Sequence, residues 1–343
     1  MYQEIVCKND VCRAAYKDGI DAYIKRLTEE SYAAREAFMP TDGFIDSIED
    51  YRAEYVHMLG LDRICSEGAP APVMEKLGED GDAVIYRVTV YITREIPQFG
   101  LLFVPHGISR APLVIAQHGG GGTPELCSDM NGKNNYNRMV RRALKRGVTV
   151  YAPQLLLWKK GEPSPTAPAH PIPFVRADLD KELKRFGISI TALEMKGIMN
   201  AITFLSELPF VEREKIAMTG LSYGGYFTTY TMAADTRIKA GFSNAVFNDR
   251  NAFHKADWSY PNSANTFHDA EVAALCAPRK LYVAFGKNDP VQSYQTVIPE
   301  AERVKKYYAA AAAPENFVFE LWEGGHTLPD TDDGFDFLFS AFE

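Results

Sequence analysis

Positive charge is in short supply: 37 Lys and Arg stand against 45 Asp and Glu over 343 residues, a formal net charge of −8. That balance speaks against nucleic acid or an anionic membrane as the main partner. The one basic run, Arg141, Arg142, Lys145 and Arg146, falls at the end of a predicted helix, where cations suit the dipole. Cysteine is scarce as well. Cys7, Cys12, Cys65, Cys127 and Cys276 are odd in number, scattered and without CxxC spacing, which excludes a disulfide framework or a zinc site and points to a reducing, cytoplasmic setting. No stretch reaches the ~18 apolar residues of a membrane span. The first ten residues carry charge with no apolar run behind them, so no signal peptide is expected. Gly/Ser-rich linkers, internal repeats and low-complexity tracts are missing too. What is there, 46% apolar and 24% charged, is the composition of a globular protein large enough to bury a real core.

Two regions differ in texture. Residues 1–80 are charged, helical in pattern and lacking strand runs. Phe44, Ile45, Ile48, Tyr55, Met58 and Leu59 recur at helical spacing behind an Asp42 cap. This predicts a helical N-terminal extension packed on a domain that spans 81–343. From residue 83 onward short apolar strands alternate with helices. Residues 83–93 and 99–104 read as an antiparallel pair, 112–117, 148–152, 215–219, 239–242, 280–285 and 317–322 as further strands. A long amphipathic helix runs from Ile190 to Leu208 and stops at Pro209, and another is expected over 301–313. The pattern predicts an α/β fold: a mostly parallel central sheet with helices on both faces.

Four local signals carry chemistry. Gly220-Leu-Ser222-Tyr-Gly224 lies between an apolar strand and a helical segment, the context of a nucleophile elbow, where small flanking residues let strand and helix close in and helix N–H groups stand beside the serine. Gln117-His118 followed by Gly119–Gly122 ends a strand. Four glycines are entropically costly there, and bare N–H groups that must reach an oxyanion give them a reason; His118 is read as shaping this loop. Asp289, in Gly-Lys-Asn-Asp-Pro after the strand at 280, suits a carboxylate that accepts a histidine's Nδ1–H. His326, in Glu-Gly-Gly-His-Thr after the last strand, completes the order Ser222, Asp289, His326. Asp249, in Asn-Asp-Arg after the strand at 239, is the rival acid.

With these residues, 83–343 resembles the α/β-hydrolase superfamily, especially its dienelactone-hydrolase-like and acetyl-xylan-esterase-like serine esterases. Two departures narrow the likeness: dienelactone hydrolases proper have cysteine where this chain has Ser222, and the Arg-Gly-Gln motif of one deacetylase family is missing. The resemblance implies a serine esterase working through an acyl-enzyme, without metal or cofactor, and its oxyanion held by the N–H of Tyr223 and of Gly120 or Gly121. The loops 158–184 and 248–275 leave the carboxyl edge of the sheet, where ligands sit in such folds. Trp158, Arg176, His254 and Trp258 are their candidate substrate-binding residues. The mixed aromatic and polar rim suits a small-molecule ester, short in its acyl part, such as an acetylated saccharide. A prolyl-oligopeptidase-like peptidase, a thioesterase and a non-catalytic ligand-binding module are the alternatives, and a homo-oligomer is left open.

Overall fold

The computed structural model describes residues 2–3, 5–130, 132–156 and 175–343. In chain order the elements are α1 (Val6–Phe38), α2 (Ile48–Leu59), β1 (Val73–Glu79), β2 (Ala83–Tyr91), β3 (Pro97–Pro105), β4 (Ala111–Gln117), α3 (Pro124–Cys127), α4 (Met139–Leu144), β5 (Thr149–Pro153), α5 (Arg176–Lys184) and α6 (Ile190–Ser206). They continue with β6 (Val211–Leu221), α7 (Tyr223–Ala234), β7 (Ile238–Asn244), α8 (Asp269–Ala274), β8 (Lys280–Gly286), α9 (Tyr294–Ala310), β9 (Phe317–Trp322) and α10 (Asp333–Phe339). Among the described residues nine strands form one sheet, in the order β1-β2-β3-β5-β4-β6-β7-β8-β9. The pairs β1–β2, β2–β3 and β3–β5 are antiparallel, and every pair from β5 to β9 is parallel.

The parallel strands are continuous apolar runs because both of their faces are covered. On β4, Leu113 and Ile115 enter one core with α2, α6, α7 and α9, while Val114 and Ala116 enter the other with α4 and α10. Each face is thus a full layer, and burial on this scale, at about 25 cal/mol per Å² of apolar surface, is the main force holding the sheet.

The N-terminal region is less separate than expected. Strand β1 lies inside residues 1–80 yet pairs with β2, so the sheet begins at Val73. Its alternation is poor because it is a largely exposed edge strand. Helix α2 is built into the core: Tyr55 is fully buried and its hydroxyl donates to the Tyr230 carbonyl at 3.0 Å. Gly43 and Ser47, rather than Asp42, stand at the starts of the helical turns here. Helix α9 closes at Ala310 instead of 313, since Ala313 precedes Pro314 and is steered out of helical geometry.

Candidate active site

Strand β6 ends at Leu221 and α7 begins at Tyr223, leaving Ser222 alone in the turn with φ 60° and ψ −120°. A non-glycine residue at such angles is strained and is held there by its surroundings. Glycine on both sides is a steric requirement. A Cβ on Gly220 would sit 2.3 Å from the Gly224 carbonyl, and one on Gly224 would sit 2.0 Å from the Gln117 carbonyl oxygen. The Ser222 N–H donates to the Asn244 carbonyl at 2.8 Å, pinning the turn to the end of β7.

The loop after β8 carries Asp289, whose side chain is fully buried. One carboxylate oxygen accepts the N–H groups of Val291 (2.7 Å) and Gln292 (3.3 Å); the other lies 2.7 Å from His326 Nδ1. The donor at that ring nitrogen leaves Nε2 as the acceptor face of the imidazole. Asn244 joins this loop to the elbow, since its Nδ2 donates to the Thr327 carbonyl at 2.9 Å. Asn135 braces the other side, its Nδ2 donating to the His326 carbonyl at 3.3 Å and its carbonyl accepting the Leu328 N–H at 2.9 Å.

The glycine loop after β4 abuts the elbow. A Cβ on Gly119 would stand 2.6 Å from the Leu221 carbonyl oxygen and 3.1 Å from Ser222 Cβ. The Gly119 N–H is taken by the Tyr136 hydroxyl at 2.8 Å. The N–H groups of Gly120, Gly121 and Tyr223 have no acceptor among the described residues. His118 is fully buried: Nδ1 donates to the Gly119 carbonyl (2.9 Å) and Nε2 accepts the Leu155 N–H (3.0 Å). Burial lowers its pKa to about 4, so it is a neutral brace for the loop.

The rival carboxylate is committed elsewhere. Asp249 accepts the Tyr32 hydroxyl (2.6 Å) and the Asn251 N–H (2.9 Å) and lies 3.2 Å from His268 Nδ1. Burial opposes its charge, but these partners hold its pKa at about 2. Asp249, His268 and Glu300 do bring donor atoms within 4.8 Å of one another. The Arg35 guanidinium, however, lies on Glu300 at 2.9 Å and already supplies positive charge there.

The candidate substrate residues divide. Trp158 lies outside the described residues. Arg176 is not a free ligand: Nε donates to Asp257 and Nη2 to Glu194, both at 2.7 Å, and Nη1 to the Leu156 carbonyl at 2.9 Å. Burial disfavours its charge, but the two carboxylates outweigh that and raise its pKa. It stands beneath Tyr223, 5.7 Å from the ring, whose hydroxyl donates to Asp257 at 3.2 Å. Trp258 is buried against Tyr223 and Tyr226, with ring centroids 4.7 and 4.9 Å apart, while His254 is exposed. Asn244, Asn135, Asp257 and Glu194 hold the site together without any local sequence signal. A cavity of about 510 Å³ opens on the same carboxyl edge and is almost wholly apolar, lined by Phe99, Leu155, Leu156, Leu179, Phe186 and Leu193 among others.

The family model for the prolyl oligopeptidase family matches residues 192–289, from α6 through the elbow to Asp289. No curated protein sequence matches the chain. Among solved structures, a methylesterase superposes with a TM-score of 0.70 at 17% identity, over 93% of this chain and 68% of its own. A candidate acetyl xylan esterase from Bacteroides fragilis NCTC 9343 gives 0.63 at 15%, over 84% and 80%. A glucuronoyl esterase from Solibacter usitatus gives 0.58 at 15%, over 85% and 92%. At these identities the likeness is one of fold, and with the strand order and elbow described above it is plain: this chain has the α/β-hydrolase fold.

Proposed function

We propose that the protein is a serine esterase that cleaves short-acyl esters of carbohydrates or other small polar alcohols through an acyl-enzyme. The observation that carries the reading is the 2.7 Å contact of His326 Nδ1 with the buried Asp289 carboxylate, in a loop tied through Asn244 to the strained turn of Ser222. Asp289 holds His326 with its proton on Nδ1, so Nε2 takes the proton from Ser222 Oγ as that oxygen attacks the ester carbonyl. The N–H groups of Tyr223 and of Gly120 or Gly121 receive the negative oxygen, each worth ~3 kcal/mol in the transition state. The imidazolium then protonates the leaving alcohol, and water attacks the acyl-enzyme with His326 again as base.

The carbohydrate reading draws support from the names of the structural neighbours, an acetyl xylan and a glucuronoyl esterase among them. The apolar cavity favours a second reading, in which it takes a longer acyl chain at ~0.8 kcal/mol per buried methylene. One panel decides: p-nitrophenyl esters from acetate to octanoate, acetylated oligosaccharides, and a prolyl p-nitroanilide. A kcat/KM highest for acetate, with release of acetate from the sugars, is expected. A steady climb toward octanoate selects the cavity, amide cleavage selects a peptidase, and full ester turnover by Ser222→Ala ends the assignment.

A further inference from the structure

Among the described residues, helix α1 is buried only toward its C-terminal end. Its last turns lie on the body through a face that recurs as Ser31, Arg35 and Phe38. Ser31 is fully buried, and Arg35, also buried, bridges Glu271 at 2.7 Å and Glu300 at 2.9 Å. Toward the N-terminus the body falls away. From Lys8 to Leu27 every residue is exposed, an arm of ~30 Å at 1.5 Å per residue.

The arm is not dressed for solvent. The face that docks at Ser31 continues backward as Leu27, Tyr23, Ile20 and Tyr16, at the 4-3-4 spacing of a helix–helix seam. Val6 and Ile24 flank it. Of twenty large apolar side chains that stand exposed among the described residues, eight belong to α1, a helix of 33 residues. Six of those eight, Val6, Tyr16, Ile20, Tyr23, Ile24 and Leu27, lie on the seam's side of the helix; with aromatic side chains burying roughly 150–250 Å² each, they present on the order of 600 Å², the lower end of the ~600–1,000 Å² per partner of a standard interface. The polar flanks pair within the helix: Lys17 with Asp21, Lys25 with Glu29, Arg26 with Glu30. On the seam itself, Tyr23 carries the Arg26 guanidinium 4.9 Å from its ring.

We propose that the seam packs against the same seam of a second copy, antiparallel, as the core of a two-fold dimer. Charge selects the occupant and the direction. From Lys8 to Glu30 the arm has five basic and five acidic residues, so a copy meets no net repulsion and an acidic membrane finds no basic face. Lys8, Arg13 and Lys17 outnumber Asp10 and Asp18 in the first half, whereas Asp21, Glu29 and Glu30 outnumber Lys25 and Arg26 in the second. An antiparallel pair sets unlike halves side by side; a parallel pair sets like on like.

Sedimentation equilibrium of the full chain at micromolar concentration tests this, with mass as the readout, so the esterase reading can fail independently. The expected mass is twice the 38.3 kDa of one chain. The exposed double substitution Ile20→Glu, Leu27→Glu should weaken dimerisation at least about a hundredfold, while Phe186→Glu, an exposed apolar position on the body, should leave the dimer intact. A wild-type monomer, or a dimer indifferent to the arm substitutions, overturns the proposal. So does an arm that binds phosphatidylcholine vesicles as a monomer. Exposed Cys12 reports direction: the two thiols lie roughly 25–30 Å apart in the antiparallel pair, and a disulfide-linked dimer abolished by Cys12→Ser would overturn that geometry.

Discussion

Replacing Asp289 by asparagine removes a charge without removing a shape, and the surroundings of Asp289 dictate how the amide must sit. One carboxylate oxygen holds two backbone N–H groups, at 2.7 and 3.3 Å, and the other faces His326 Nδ1 at 2.7 Å. An amide has one acceptor oxygen. Keeping it on Val291 and Gln292 preserves two hydrogen bonds of about 1 kcal/mol each, against one if it turns to the histidine. The NH2 group then points at His326 Nδ1, which must accept, and the ring proton moves to Nε2, where it blocks uptake of the serine proton. The expected loss in kcat is about 10³–10⁴-fold, or ~4–5.5 kcal/mol in the barrier, with thermal stability within about 1 kcal/mol of the parent. Asp249→Asn is the control, since Asp249 touches Tyr32, Asn251 and His268 instead; its kcat should be unchanged. Turnover of p-nitrophenyl acetate beside a melting curve measures both. If Asp289→Asn stays within about threefold of the parent, or Asp249→Asn falls as far, the assignment of the acid is wrong.

Other perturbations test the supports. Gly224→Ala places a methyl 2.0 Å from the Gln117 carbonyl oxygen, where only backbone can yield; melting should show a loss at or above the ~1–3 kcal/mol usual for overpacking, with kcat falling as the elbow shifts. His118, neutral in the fold down to about pH 4, is protonated below about 6.5 once unfolded, so the unfolded state binds the extra proton and stability falls with pH across that window by about 3 kcal/mol. Glu300, buried and raised above the usual carboxyl range, acts in the opposite sense, so the measurement is a difference: the urea unfolding free energy of His118→Gln minus that of the parent should rise by about 3 kcal/mol as pH falls through that window, and a difference flat with pH refutes it. Arg35→Met leaves Glu271 and Glu300 buried without their shared cation. Urea unfolding should register ~3–5 kcal/mol, partly recovered by adding Glu271→Gln and Glu300→Gln.

The parts of this site that were legible in the sequence are those where geometry forbids alternatives. Glycine at 220 and 224 is demanded by backbone atoms within 2.3 Å of any Cβ, so the elbow leaves a fixed string of letters. The apolar runs of the parallel strands are legible for the same reason, both faces being covered. Asp289 and Asp249 show where this ends. Each follows a strand and stands in an Asn-Asp pair, and nothing local separates them; what does is the partner each meets, His326 for one and Tyr32, 217 positions away in the chain, for the other. Arg176 reads as a free cation on a rim loop until Glu194 and Asp257 close on it from two other elements. Asn244 and Asn135 act through side-chain amides and main-chain carbonyls that many sequences could supply, so they leave no pattern. Strand β1 is hidden for a different reason: an edge strand needs only the open hydrogen bonds of β2, and its largely exposed residues are under no pressure to alternate. The same logic, run backward, gives α1 its meaning. Its polar flanks are free to vary, but an apolar seam kept at 4-3-4 spacing along ~17 Å of otherwise solvated helix is a constraint that the isolated chain does not explain.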